Sequence, residues 1–361
     1  MTPLDQLESK FHLQDTTPNS PGQTPFVANT SPPPTYCMPP PGCVSARMSN
    51  ILFYFLTLTT LVTLTVNGLV FLGRSLKIPA LEFYGRSLAS FVALFLSSVY
   101  ATFAAAAFSA VGYGGMAQWT AGRFFKWVML LFTGIWFDVQ DPENYLGNTR
   151  PAVFVGNHQT ELDVLMLGHI FPKWCSVTSK KSLSKIPFLG WFMLMSKTVF
   201  IERKSRSQAL QAFDAAAEQM RNERQSVFIF PEGTRSYYEK PDLLAFKKGA
   251  FHLAVQAQVP IVPIVSANYS NVLNVRSKKF QPGIIPTRVL KPISTKGKTK
   301  DDVDSLLEET RNVMMEALLE LTEEARKQGV AKQEHEARSH TNGVAKSSGV
   351  DVASKGMNAA A

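Results

Sequence analysis

The residues best suited to chemistry are His158 and Asp163, five positions apart in Val153-Phe154-Val155-Gly156-Asn157-His158-Gln159-Thr160-Glu161-Leu162-Asp163. A carboxylate that accepts a hydrogen bond from one imidazole nitrogen fixes the tautomer and leaves the other nitrogen free as a base near neutral pH. Residues 152–156 are apolar and mostly β-branched or aromatic, which predicts a short buried strand. Leu162, Leu165, Met166 and His169 follow at helical spacing. His158 therefore falls in a strand-to-helix turn, with Thr160 as a candidate N-cap and Asp163 in the first helical turn. The same residues also read as a plain capping box, Thr160-x-x-Asp163, with His158 a solvated turn residue. The stretch alone leaves both readings open.

Two further strand ends carry charged side chains. Phe228-Ile229-Phe230-Pro231-Glu232-Gly233-Thr234-Arg235-Ser236 runs from an apolar strand into a turn that presents a carboxylate and a guanidinium, with a glycine that permits close backbone approach. Arginine suits bidentate phosphate recognition, although a surface Arg–Glu pair would look the same in sequence. Val199-Phe200-Ile201-Glu202-Arg203 likewise ends a strand on an arginine, where a solvated edge charge is the plainer reading. Val259-Pro260-Ile261-Val262-Pro263-Ile264 is apolar with prolines at both ends and serves most simply as core or as a wall for an apolar ligand.

The elements that must position these residues alternate. Short apolar runs at 152–156, 175–178, 198–202, 226–230 and 261–265 read as strands. Helices are expected near 207–223, with Leu210, Phe213, Ala217 and Met220 on one face, and over 248–257. This alternation predicts an α/β domain over 140–324 with a largely parallel central sheet flanked by helices, whose site gathers at the carboxyl ends of the strands. A further helix is expected over 303–322, with Leu306, Leu307, Val313, Met314, Leu318 and Leu321 on its packing side.

N-terminal membrane helices are expected to precede that domain. Residues 1–47 hold 10 of the 22 prolines and little apolar periodicity, so a disordered arm is expected there rather than a cleavable leader. The 26 uncharged residues 48–73 suffice to cross about 30 Å of hydrocarbon. A second uncharged run lies between Arg86 and Arg123, and its part 87–115 is expected as a second span or a re-entrant pair. Residues 122–138 suit an interfacial helix with Trp127 and Trp136 at headgroup depth. Residues 325–361 are Lys-, Glu-, Ser- and Gly-rich and are expected to be disordered. Basic residues flank both apolar runs on both sides, so charge does not set orientation.

Charge is unevenly spread. The net +9 is built from 0 over residues 1–144, +14 over 145–300 and −5 over 301–361. The basic field thus coincides with the segment holding His158 and attracts anions; beside the apolar runs, an anionic leaflet or a phosphorylated small substrate is favoured over nucleic acid. Three cysteines, Cys37, Cys43 and Cys175, form no disulfide framework and no Cys-x-x-Cys pair, so no metal is expected.

Taken together, the four segments resemble the glycerolipid acyltransferase family, in particular the 1-acylglycerol-3-phosphate (lysophosphatidic acid) acyltransferases. Asn157 to Asp163 matches that family's His-x-x-x-x-Asp block, Val199 to Arg203 its Phe-Ile-x-Arg block, Phe230 to Ser236 its Phe-Pro-Glu-Gly-Thr-Arg-Ser block, and Val259 to Pro263 its proline-flanked fourth block. The likeness covers residues 120–295. Val199 stands where the second block usually begins with glycine. The resemblance implies acyl transfer from acyl-CoA, a co-substrate rather than a cofactor, to the sn-2 hydroxyl of lysophosphatidic acid. It implies His158 as general base with Asp163 orienting it, and Arg203 and Arg235 on the substrate phosphate. Glu232 would position Arg235 or a glycerol hydroxyl, with Gly233 and Thr234 in the same substrate-binding turn. Lys180 and Lys181, which open a family-like Lys-Lys-Ser-Leu segment, are further anion-site candidates. The apolar stretch Ile186 to Leu194 reads either as dipping into the leaflet to admit acyl chains or as a core helix. The resemblance further implies residence in a membrane, that of the endoplasmic reticulum with the site on the cytosolic face. Other lysophospholipids or glycerol 3-phosphate are alternative acceptors within the family, and a catalytically silent anionic-lipid-binding membrane protein is the alternative outside it. A hydrolase is disfavoured by the lack of a Gly-x-Ser-x-Gly elbow.

Overall fold

The computed structural model describes residues 41–201 and 206–347, with parts of α1, the start of α7 and the end of α9 described as helix only. The helices are α1 (Pro41–Ser75), α2 (Pro79–Ala110), α3 (Ala117–Thr133), α4 (Tyr145–Asn148), α5 (Asp163–Ile170), α6 (Leu189–Met195), α7 (Arg206–Glu223), α8 (Gly249–Ala257) and α9 (Val303–Ser347). The strands are β1 (Ile135–Gln140), β2 (Val153–Gly156), β3 (Cys175–Lys180), β4 (Val199–Ile201), β5 (Ser226–Ile229), β6 (Ile261–Ser266), β7 (Leu273–Asn274), β8 (Lys279–Phe280) and β9 (Gly283–Val289).

Seven strands form one sheet in the order β1-β9-β6-β2-β5-β3-β4, and β7 and β8 form a separate hairpin. The five strands β6, β2, β5, β3 and β4 run parallel, as the alternation predicts. β9 joins β6 antiparallel and carries β1 with it, so the sheet is mixed at that edge. Burial on both faces explains why the central strands read as continuous apolar runs. Val153 and Val155 of β2, with Val227 and Ile229 of β5, face a core completed by α7, α8 and α9. Phe154, Phe228, Val262 and Ile264 face the opposite core, completed by α5 and by Phe125 and Met129 of α3. The fold is therefore helix, sheet, helix.

Several boundaries differ from the sequence expectation. The helix expected over 122–138 ends at Thr133, because Gly134 adopts a left-handed conformation (φ 69°) and closes it. Ile135, Trp136 and Phe137, β-branched and aromatic, then enter β1. Trp136 thus sits on a strand and packs edge-on against His169 at 4.5 Å, not in a helix at headgroup depth. On α9, Val313 is 37% exposed while Thr310, Met314 and Ala317 fill the packing stripe. The helix, expected over 303–322, continues to Ser347. On α7, Ala216, Ala217 and Met220 are buried with Phe213 packed beside them, and the side chain of Leu210 lies outside the described residues.

Among the described residues α2 is long and apolar enough to cross a membrane, and it overlaps the expected second span. It packs along α3 and α6 and leaves Phe91, Phe95 and Phe103 exposed, while Trp191 and Leu194 of α6 are exposed beside it. The span expected over 48–73 lies inside α1, of which several side chains are outside the described residues. Residues 1–40 of the expected arm and 348–361 of the expected tail also lie outside them.

Candidate active site

The parallel register of β2, β5, β3 and β4 brings the carboxyl ends of four adjacent strands to one edge. His158 follows β2, Glu232 to Arg235 follow β5, and Lys180 and Lys181 close β3. Arg203, two residues beyond the end of β4, lies outside the described residues.

His158 Nδ1 lies 2.7 Å from Asp163 Oδ2. Asp163 is 1% exposed, and the same oxygen accepts the backbone N–H of Gln159 at 2.6 Å and of Thr160 at 3.2 Å. Its other oxygen, Oδ1, accepts the Tyr269 hydroxyl at 2.5 Å. With donors converging on both of its oxygens the carboxylate serves as acceptor only, so Nδ1 of His158 carries the proton and donates it to Oδ2. Nε2 then bears the lone pair, and it has no hydrogen-bond partner among the described residues. The imidazole stacks on Phe230 with ring centroids 4.1 Å apart and a 17° interplanar angle, which fixes its plane. No serine, threonine or cysteine side chain among the described residues bonds to His158. The arrangement presents an imidazole nitrogen with a free lone pair and, among the described residues, no paired nucleophile.

Only half of the expected capping box forms, and His158 is paired with Asp163 rather than left as a solvated turn residue. α5 starts at Asp163 itself, and the Thr160 hydroxyl accepts the Leu162 N–H at 3.2 Å rather than that of Asp163. The Asp163 carboxylate folds back onto the Gln159 and Thr160 amides, so one side chain both closes the turn and holds the imidazole. At the other end of α5, Arg123 donates to the carbonyls of Gly168, His169 and Phe171, capping the buried helix terminus with positive charge. His169, on the same helix, is a core histidine: Nε2 accepts the Phe137 N–H at 3.4 Å, and burial lowers its pKa to about 4.

Glu232 is placed differently from the sequence expectation. It is 3% exposed and does not touch Arg235; Oε1 accepts the His158 backbone N–H at 2.7 Å and Oε2 the Leu244 N–H at 3.0 Å. Burial pushes its pKa up to about 7, against the lowering effect of those two amide bonds. Its visible role is to clamp the His158 backbone. Gly233 occupies φ 70°, a left-handed conformation that suits glycine. Thr234 and Arg235 are exposed at the turn. Arg235 Nη1 donates to Glu161 at 2.8 Å and to the Tyr237 hydroxyl at 3.3 Å, while that hydroxyl donates to Glu161 at 2.6 Å. The first and third blocks are also laced by main-chain bonds from Ser236 to His158 and from Tyr237 to Gln159. Lys180 and Lys181 are exposed and unpaired among the described residues.

Sequence reading overlooked Tyr269. It is fully buried, 106 residues from Asp163 in the chain, and its hydroxyl also receives the Thr160 N–H and Oγ–H at 3.2 and 3.1 Å. Glu161 was likewise read only as a residue within the block. Asn157 has a further positioning role: its amide exchanges two hydrogen bonds with the Ser266 backbone, extending the β2–β6 pairing one residue past the strand.

This geometry defines an α/β protein with a hydrogen-bonded histidine–carboxylate pair at the strand ends. Residues 136–267 match the family model described as Acyltransferase. The chain is 42% identical over 269 residues to an uncharacterized acyltransferase of Schizosaccharomyces pombe, covering 74% of this chain and 96% of that one. It is 40% identical over 239 residues to a 1-acyl-sn-glycerol-3-phosphate acyltransferase of Saccharomyces cerevisiae, covering 66% and 78% respectively. The beta form of the human 1-acyl-sn-glycerol-3-phosphate acyltransferase is 38% identical over 207 residues, covering 57% and 72%. The chain belongs to the acyltransferase family that contains these enzymes, and it is itself an acyltransferase.

Proposed function

We propose that the chain transfers an acyl group from acyl-CoA to the sn-2 hydroxyl of lysophosphatidic acid, giving phosphatidic acid and CoA, as a step of phospholipid biosynthesis at a membrane. The observation that carries the mechanism is the 2.7 Å contact between His158 Nδ1 and Asp163 Oδ2, with Nε2 left unpartnered. The acceptor specificity rests on the 1-acyl-sn-glycerol-3-phosphate acyltransferases among the relatives.

In this reading Nε2 removes the proton from the acceptor hydroxyl as its oxygen attacks the thioester carbonyl. Asp163 stabilises the imidazolium that forms. The tetrahedral adduct collapses by breaking the C–S bond, and the imidazolium returns its proton to the CoA sulfur. Transfer is direct, in a ternary complex, since no acyl-accepting nucleophile adjoins the base among the described residues. Arg235, Lys180 and Lys181, joined by Arg203, supply the cationic surface for the acceptor phosphate. The exposed aromatic faces of α2 and α6 support attachment to a bilayer and delivery of acyl chains to the strand ends.

The test is CoA release by purified, detergent-solubilised protein given oleoyl-CoA with lysophosphatidic acid, glycerol 3-phosphate or lysophosphatidylcholine in parallel. Release with lysophosphatidic acid alone, abolished in His158→Ala with membrane attachment retained, is the expected result. Normal turnover by His158→Ala would sink the mechanism, and release with a different acceptor would reassign the substrate.

A further inference from the structure

A second basic cavity lies at the opposite edge of the sheet. Its walls come from residues that precede the parallel strands or begin them: Arg150 ahead of β2, Trp174 ahead of β3 and Ser226 at the start of β5. Arg123 and Trp119 of α3 and Lys173 complete it, and the space amounts to about 530 Å³. That volume falls within the range of small-molecule sites. His158 and Arg235 lie beyond the other ends of the same strands.

The cations here lack carboxylate partners. Arg123 spends its N–H groups on the backbone carbonyls at the end of α5. Arg150 and Arg224 each donate to the other's backbone carbonyl, at 2.7 Å in both directions. Asp141, the one acidic residue in the wall, turns its carboxylate onto the Tyr145 and Leu146 amides at 2.8 and 3.0 Å. Burial, reinforced by the neighbouring Arg224 charge, depresses the Arg150 pKa, as unmet positive charge does. Among the cationic donors, Arg150 Nη1 and the exposed ammonium of Lys173, which has no ion-pair partner among the described residues, remain available. Two indoles lie among these charges, with Lys173 5.4 Å from the Trp119 ring centroid and Arg150 4.9 Å from that of Trp174. Such rings offer a flat apolar contact next to an anion site.

We propose that this cavity is a second binding site, separate from the acyl-transfer centre, for a phosphate-bearing ligand whose ring or chain rests on Trp119 and Trp174. The phosphate bonds to Lys173 Nζ and Arg150 Nη1. A free phosphate compound and a phospholipid headgroup share this chemistry, and the test separates them.

Lys173 supplies a local readout. Acetylation of its amine in the full-length detergent-solubilised protein is followed by peptide mass spectrometry, with the exposed Lys291 as an internal control outside the cavity. The additives are inorganic pyrophosphate or micelles containing dioleoyl phosphatidate, each compared with uncharged micelles. Occupancy of the site slows Lys173 acetylation at least threefold while leaving Lys291 unchanged, and Arg150→Gln abolishes the protection. Protection by pyrophosphate marks a site for soluble phosphate compounds; protection by the lipid alone marks a headgroup site. Unchanged Lys173 acetylation with both additives would overturn the proposal, as would undiminished protection in Arg150→Gln.

Discussion

Tyr269 Oη donates to Asp163 Oδ1 at 2.5 Å, joining the loop after β6 to the first residue of α5. Both groups are buried, so the bond is made away from water and its loss is not compensated by solvent. Tyr269→Phe removes the donor to Asp163 and also the acceptor of the Thr160 N–H and Oγ–H. A stability loss of about 1–3 kcal/mol is expected from the groups left unsatisfied. Turnover should fall roughly tenfold with little change in either KM, since Tyr269 acts through Asp163 and not on substrate. Thermal unfolding and steady-state kinetics on the same preparation check this, and a rise in KM with unchanged kcat would contradict it.

Asp163→Asn tests the tautomer. Three N–H donors converge on Oδ2, from His158 Nδ1, Gln159 and Thr160, so an amide NH2 cannot take that place without a donor facing donors. The amide oxygen is therefore driven to Oδ2 and its NH2 toward the Tyr269 hydroxyl. His158 keeps a neutral acceptor but loses the charge that stabilises its imidazolium. The expected loss in kcat is about 10²–10⁴-fold, with membrane attachment and both KM values near those of the unmodified protein. A loss below threefold would remove Asp163 from the mechanism.

How much of this was legible in the sequence follows from which interactions are local. β2 and β5 are apolar on both faces and bounded by turns, so composition alone places them, and the five-residue spacing of His158 and Asp163 admits one compact turn. Tyr269 was invisible because its partner is 106 positions away and nothing in its immediate neighbours signals a buried hydroxyl. The pairing of Glu232 was misread for a related reason. A carboxylate three residues before an arginine looks like its partner, yet the turn at Gly233 directs Glu232 inward to the His158 amide and leaves Arg235 to Glu161, on another block. β1 and β9 escaped although they are six and seven residues long: β1 follows the apolar α3 so closely that the two read as one helix over 122–138, and Pro286 stands inside β9, where a proline argues against a strand; their pairing is a long-range event that neither segment announces.

Glu161 and the acceptor phosphate compete for one guanidinium. Arg235 is exposed and donates to Glu161 at 2.8 Å, a surface contact of small intrinsic worth that a dianionic phosphate can displace. Arg235→Ala should raise the KM for lysophosphatidic acid about tenfold and leave that for acyl-CoA within twofold. Glu161→Gln should lower the acceptor KM a few-fold by removing the competing charge, and it should have no such effect in the Arg235→Ala background. Equal effects of Arg235→Ala on both substrates would argue against a phosphate role.

Glu232 should leave a mark on stability as a function of pH. Its carboxyl is raised in the folded protein to about 7, burial being the dominant cause, whereas in the unfolded chain it titrates near the ordinary carboxylate value. Between those two values the folded state holds a proton that the unfolded state has lost. Stability from this group is complete below the unfolded value and is lost as pH rises through about 7, by roughly 3 kcal/mol in all. Glu232→Gln cannot titrate and so lacks that slope. It also turns an amide NH2 toward the His158 or Leu244 N–H, which lowers its stability at every pH. The variant's deficit, read as the difference in Tm in detergent, should therefore be larger at pH 5 than at pH 8. A deficit that stays constant, or grows toward pH 8, would show that Glu232 is ionised throughout this range and that its two amide bonds outweigh its burial.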